Sequence, residues 1–167
     1  GNIVDILYAP LSAFEVSISI ILAAVTRSII IGIVSTLVFF LIVDLKISNF
    51  IYIFYSAFFG SFFIGSLGFI TGLWATKFDH TATITNFLIT PLAFLSGVFY
   101  TIDKLPSIFQ TISYFNPFFH IINIFRYGFL GTSDGNMFFG TIYLPLLSLL
   151  GWFVAYILYK NGYKIKT

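Results

Sequence analysis

No cysteine occurs anywhere in this chain, which removes disulfides, thiol catalysis and thiolate metal ligation at once. Charge is nearly as scarce. Charged residues make up 8% of the 167 positions, where a water-soluble domain carries about a quarter. So few charges cannot cover a water-facing surface without leaving large apolar patches. The basic residues are scattered and the net charge is only +2, so nucleic acid is excluded as an expected partner. A G-x-x-x-x-G-K-[ST] phosphate loop is absent, and so is a G-x-S-x-G serine elbow. His80 and His120 are the only histidines, too few for a clustered metal site without cysteine. No cleavable signal is visible, because residues 1–15 hold Asp5 and Glu15 and no basic region. The acidic, half-apolar start at Gly1 leads to the expectation that the true N-terminus is missing and further sequence precedes it.

What is abundant is apolar. Hydrophobic residues make up 59%, mean hydropathy is +1.01, and 23 Phe with 10 Tyr suit lipid tails and the headgroup boundary. A helix needs about 20 apolar residues to cross a bilayer core of roughly 30 Å. The charge-free intervals 47–76, 81–102, 105–125 and 135–159 are each long enough. Upstream, Val16–Val43 is interrupted only by Arg27 and small polar residues. Spans are therefore expected at 24–43, 50–76, 82–102 and 137–159. Arg27 lies about one turn inside the first, where it reaches the headgroups as a snorkelling anchor.

The interval 105–125 differs from the rest. It holds Pro106, Asn116, Pro117, His120 and Asn123. Proline removes a backbone donor and pushes the residue before it out of the helical region. A single crossing here would leave backbone groups unpaired in lipid. Two short helices, Ser107–Phe115 and Phe118–Leu130, are expected instead, as a re-entrant or interfacial hairpin over 105–131. The fold class is thus an all-α polytopic membrane protein, with four transmembrane helices and a hairpin before the last. This puts Arg27, Lys77, Lys160, Lys164 and Lys166 on the cytoplasmic side, and Lys46, Lys104 and Arg126 outside. A fifth span in place of the hairpin balances charge equally well; the Asn116-Pro117 break decides.

Two faces stand out. Ala57, Ser61, Gly65, Gly68 and Gly72 fall within about 80° on one helix, a stripe suited to close helix packing within or between subunits. Thr83, Asn86, Thr90 and Gly97 fall within about 60° on another, with Pro91 beside them to permit a kink. That polar stripe bridges helices or lines a water-filled path, and Thr83, Asn86 and Thr90 are the candidate path residues. No acidic residue lies mid-span, so a proton or ion relay has no carboxylate to run through.

The stretch FLITPLAFLSGVFYTIDKLPSIFQTISYFNPFFHIINIFRYGFLG, from Phe87 to Gly131, resembles the C-terminal signature of the type-2 ABC-transporter permeases. The matching features, in order, are Pro91-Leu92, Ser96–Tyr100, Leu105-Pro106, Asn116-Pro117, Arg126-Tyr127, Gly131 and Asp134. LYAPLSAFEV, from Leu7 to Val16, is similar to that family's cytoplasmic segment before its third helix. The family comprises bacterial exporters of drugs, polysaccharides and lipid-linked substrates. The resemblance implies a six-span subunit with both termini cytoplasmic, of which this chain holds the last four spans. It implies ATP bound by a separate ATPase subunit, no cofactor on this chain, and a second permease subunit as homo- or heterodimer partner. Residues 1–15 become the coupling segment, with Asp5, Tyr8, Pro10 and Glu15 presented to the ATPase. Leu105, Pro106, Asn116, Pro117, Arg126 and Tyr127 shape the outer hairpin, with Arg126 placed to meet lipid phosphate or substrate. A bacterial inner membrane location with the C-terminus cytoplasmic follows. The alternative is a structural or assembly subunit without transport; an intramembrane enzyme lacks a catalytic constellation.

Overall fold

The computed structural model describes residues 11–75, 78–99 and 101–162, which are mostly helical, with no strand among them. In chain order the helices are α1 (Ala13–Ile42), α2 (Phe50–Trp74), α3 (Phe78–Ile84), a π-helical turn (Thr85–Ile89) and α4 (Thr90–Phe94). A 3₁₀ turn (Ile102–Lys104), α5 (Ser107–Phe115), α6 (Pro117–Leu130) and α7 (Met137–Lys160) follow. Three of them, α1, α2 and α7, are long and apolar enough to cross a membrane. Each is exposed along much of its length to surroundings that must be apolar.

α1 starts eleven residues before the expected span. Ser12 caps it: the hydroxyl accepts from the Glu15 amide at 3.2 Å, and the Glu15 carboxylate accepts from the Ser12 amide at 2.7 Å. At 30 residues it runs about 45 Å, well beyond one bilayer core. Only its first half packs. Ile21 and Val25 meet Phe62 of α2, with Ile18, Ile29, Phe58 and Trp152 around them. Trp152 also donates to the Ser17 hydroxyl at 3.3 Å, tying α7 to α1. From Ile30 to Val43 the large side chains of α1 are exposed.

α2 is the centre of the fold and packs against α1, α6 and α7. Its small residues do different work. Gly65 accepts the Ala24 methyl of α1, while Gly68 and Gly72 face open space. Pro145 within α7 lacks the amide that would bond the Thr141 carbonyl four residues back. The Tyr55 hydroxyl of α2 donates to that carbonyl. The defect is repaired by a neighbour, as lipid requires.

The stretch 82–102 is not one uninterrupted helix. Helix runs only from Phe78 to Phe94, in pieces of seven, five and five residues, or about 25 Å. Pro91 explains the middle piece. Its ring cannot sit over the Phe87 carbonyl one turn back, so the preceding turn widens. The Thr90 amide accordingly bonds the Thr85 carbonyl five residues back. Gly97 lies beyond the helix, in a left-handed turn at φ 78°, so it does not continue the polar stripe.

Candidate functional site

α5 and α6 meet at Asn116. The break falls where the sequence places it, except that Pro117 is the first residue of α6 rather than part of the gap. Proline's fixed φ suits a first helical position, and its missing amide is one that helix could not use. Asn116 caps α6 by accepting from the Phe118 amide at 3.0 Å.

Breaking helices leaves carbonyls without partners at each C-terminal end. The seam around this hairpin supplies donors for them. At the end of α4, Asn116 Nδ2 donates to the Leu92 carbonyl at 2.6 Å and Ser113 Oγ to the Leu95 carbonyl at 3.0 Å. At the end of α5, His120 Nε2 lies 2.8 Å from the Tyr114 carbonyl, and the Tyr143 hydroxyl donates to the Phe115 carbonyl at 2.7 Å. At the end of α6, the Ser48 and Asn49 amides reach the Gly128 carbonyl at 3.0 and 2.8 Å. These bonds join the hairpin to the two membrane helices α2 and α7 and to the broken third stretch.

The charged part of the seam is Arg126. One arm of its guanidinium pairs with Asp134 and the other donates to the Gly97 carbonyl. Asn123 holds the same loop, its Oδ1 accepting from the Asp134 amide at 2.8 Å. With both arms engaged, Arg126 is a seam residue in this structure. His120 is buried among Phe119, Phe139 and Tyr143, with ring centroids 4.9–5.4 Å away. A carbonyl opposite Nε2 makes that a protonated nitrogen, so in the neutral ring Nδ1 is the acceptor; it has no partner among the described residues. Gly140 stands opposite, where a methyl would fall 3.0 Å from Nδ1.

The remaining expected site residues are scattered. Asp5, Tyr8 and Pro10 lie outside the described residues, and Glu15 is exposed, holding its cap. Leu105 is half-buried and Pro106 exposed before α5. Tyr127 packs edge-on against Tyr52, with centroids 5.1 Å apart. Thr83 and Asn86 are exposed on the 78–94 stretch and Thr90 is half-buried. The two hydroxyls bond their own helix, Thr83 to the Asp79 carbonyl at 2.8 Å and Thr90 to the Thr85 carbonyl at 2.9 Å. Neither of these hydroxyl bonds reaches the seam. Ser113, Asn123 and Tyr143 belong to it without having been singled out as site residues. A signal existed for one of them: Asn116, His120 and Asn123 fall within about 60° on α6, the spacing applied above to another helix. Among the described residues, no three His, Asp or Glu side chains gather as metal ligands.

Long lipid-compatible helices joined to a capped hairpin define a multi-pass membrane protein. The chain belongs to the ABC-2 type transporter family, whose profile matches residues 1–130. It is 29% identical over 156 residues to the inner membrane transport permease YadH of Escherichia coli K12, covering 93% of this chain and 57% of YadH. It is 36% identical over 72 residues to nodulation protein J of Rhizobium leguminosarum bv. viciae, covering 43% of this chain and 28% of that protein. The chain thus spans little more than half the length of the first of these curated relatives. No solved structure matches it.

Proposed function

We propose that this chain is the membrane-spanning part of the permease subunit of an ATP-driven exporter in a bacterial inner membrane. In this reading α1, α2, the 78–94 stretch and α7 cross the bilayer, and α5–α6 re-enters it from the outer face. Both ends then lie in the cytoplasm. The observation that carries the reading is the seam itself. Donors are aimed at the carbonyls ending α4, α5 and α6, an arrangement needed where water does not reach. Membership of the ABC-2 family and the likeness to a transport permease supply the activity. Energy comes from a separate ATPase subunit engaging residues 1–15. A second permease subunit completes the path, against which Thr83, Asn86 and Thr90 are placed. The cargo is amphipathic: a drug, a lipid-linked molecule or a polysaccharide.

The test uses the full-length protein reconstituted with its ATPase in liposomes. Coupling requires residues 1–15 to press differently on the helices in the two nucleotide states. Pro10→Ala is expected to lower ATP turnover about fivefold or more, the scale of a lost inter-site coupling, with membrane levels unchanged. Turnover equal to the parent's would remove the coupling role.

A further inference from the structure

We infer that Arg126 is a positioning residue, locking the α5–α6 hairpin to the outer end of the 78–94 stretch so that the two behave as one body. That stretch needs a tie. α3 packs on α2, α4 meets the fold through α6, and Phe87 and Leu88 between them are exposed. Its outer end is held by three donors from the hairpin, at Leu92, Leu95 and Gly97 in succession.

The Arg126 bond differs from the other two. Asn116 and Ser113 each join the hairpin to α4's end alone, whereas Arg126 also reaches the loop before α7 through Asp134. Asn123 fixes the same Asp134 by its amide. One guanidinium therefore ties α6 to the Gly97 turn 29 residues upstream and to the Asp134 loop eight residues downstream, and its planar fork meets two partners where a lysine is a point charge. Removing it frees the Gly97 carbonyl and leaves the Asp134 carboxylate without its partner, a double loss in a half-buried place. That the locked unit moves as a body during transport rests on the function proposed above. The lock itself does not.

The absence of cysteine makes the lock measurable. Ser96 adjoins Gly97 and is only 1% exposed, so Ser96→Cys, in a full-length background cleared of any cysteine outside these 167 residues, supplies a single protected thiol at the seam. In the full-length protein in liposomes, maleimide labelling of this thiol is expected to be slow. Labelling follows local opening, so Arg126→Ala should speed it by about tenfold or more. Arg126→Lys should speed it less, and it carries the comparison should the alanine variant fail to reach the membrane. Rates equal to the parent's in the variants that do reach it overturn the inference. With the ATPase partner cycling ATP, the parent rate should not change; acceleration would mean that the seam opens in each cycle and would overturn the single-body assignment. Labelling does not depend on transport. A chain that stimulates no ATPase but keeps the thiol protected defeats the exporter reading and leaves the lock standing.

Discussion

Gly128 marks a close approach between α6 and α2, and adding one methyl there tests the packing of the hairpin directly. A Cβ on Gly128 would fall 2.9 Å from the Ile53 backbone nitrogen and 3.1 Å from the Asn49 carbonyl oxygen, besides overlapping the Ile53 side chain. Main-chain atoms cannot rotate away, so the helices must separate. Separation also lengthens the bonds from the Ser48 and Asn49 amides to the Gly128 carbonyl. Those two amides stand at and just before the N-cap of α2 and that carbonyl lies in the last turn of α6, so the bonds join two helix ends. Overpacking of this kind costs about 1–3 kcal/mol, and weakening the two bonds adds about 1–2 kcal/mol. Alanine's better helix propensity offsets about 1 kcal/mol. The net expectation for Gly128→Ala is a loss of about 1–4 kcal/mol, or a midpoint lower by roughly 2–16 °C.

The assay is heat-induced loss of the monodisperse peak of the full-length protein in detergent. Gly68→Ala is the control, because a methyl there meets nothing within 4 Å among the described residues. It should leave the midpoint unchanged or slightly raised. If Gly128→Ala melts with the parent, or both variants fall equally, the close approach of α6 to α2 is wrong.

Two further substitutions probe the seam by the same assay. Asn116→Ala loses both the α6 cap and the bond to the Leu92 carbonyl, for about 2 kcal/mol. Asn116→Asp keeps the cap but sets a carboxylate oxygen against that carbonyl, so it should melt lower still. A midpoint equal to the parent's would deny the Leu92 bond. Tyr143→Phe removes only the donor to the Phe115 carbonyl and should cost about 1 kcal/mol. An unchanged midpoint there would show that the carbonyl finds another donor.

Much of this fold is legible from charge-free length, because lipid punishes charge strongly and the penalty does not depend on tertiary detail. That is why α2 and α7 lie where the uncharged intervals put them and α1 ends where its apolar run does. Asn116-Pro117 is legible for a local reason, since proline's restriction acts on its own neighbours. The end of the third stretch is not legible in this way. Ser96, Gly97, Val98 and Phe99 are as compatible with lipid as the helix before them, so no charge marks the stop at Phe94. The stop depends on Pro91 widening the turn before it and on a left-handed glycine after it. The early start of α1 is likewise a matter of Ser12 and Glu15 capping each other.

Polar stripes are the harder lesson, because this chain carries two that look alike in sequence. Thr83, Asn86 and Thr90 repeat at helical spacing, and so do Asn116, His120 and Asn123. Periodicity ranks them equally as path linings. What separates them is the demand for donors nearby. The second stripe lies where three helices end, so unpaired carbonyls surround it, and Asn116 and His120 each meet one while Asn123 accepts a loop amide. The first lies along the 78–94 stretch, helical throughout though widened before Pro91, where the two threonines merely back-bond. A polar residue beside a helix break in lipid is therefore first a cap for that break. Thr83 and Asn86, in the α3 and π-helical part of the stretch, lie before the α4 end that the seam caps, and theirs is the polarity we propose for water or cargo.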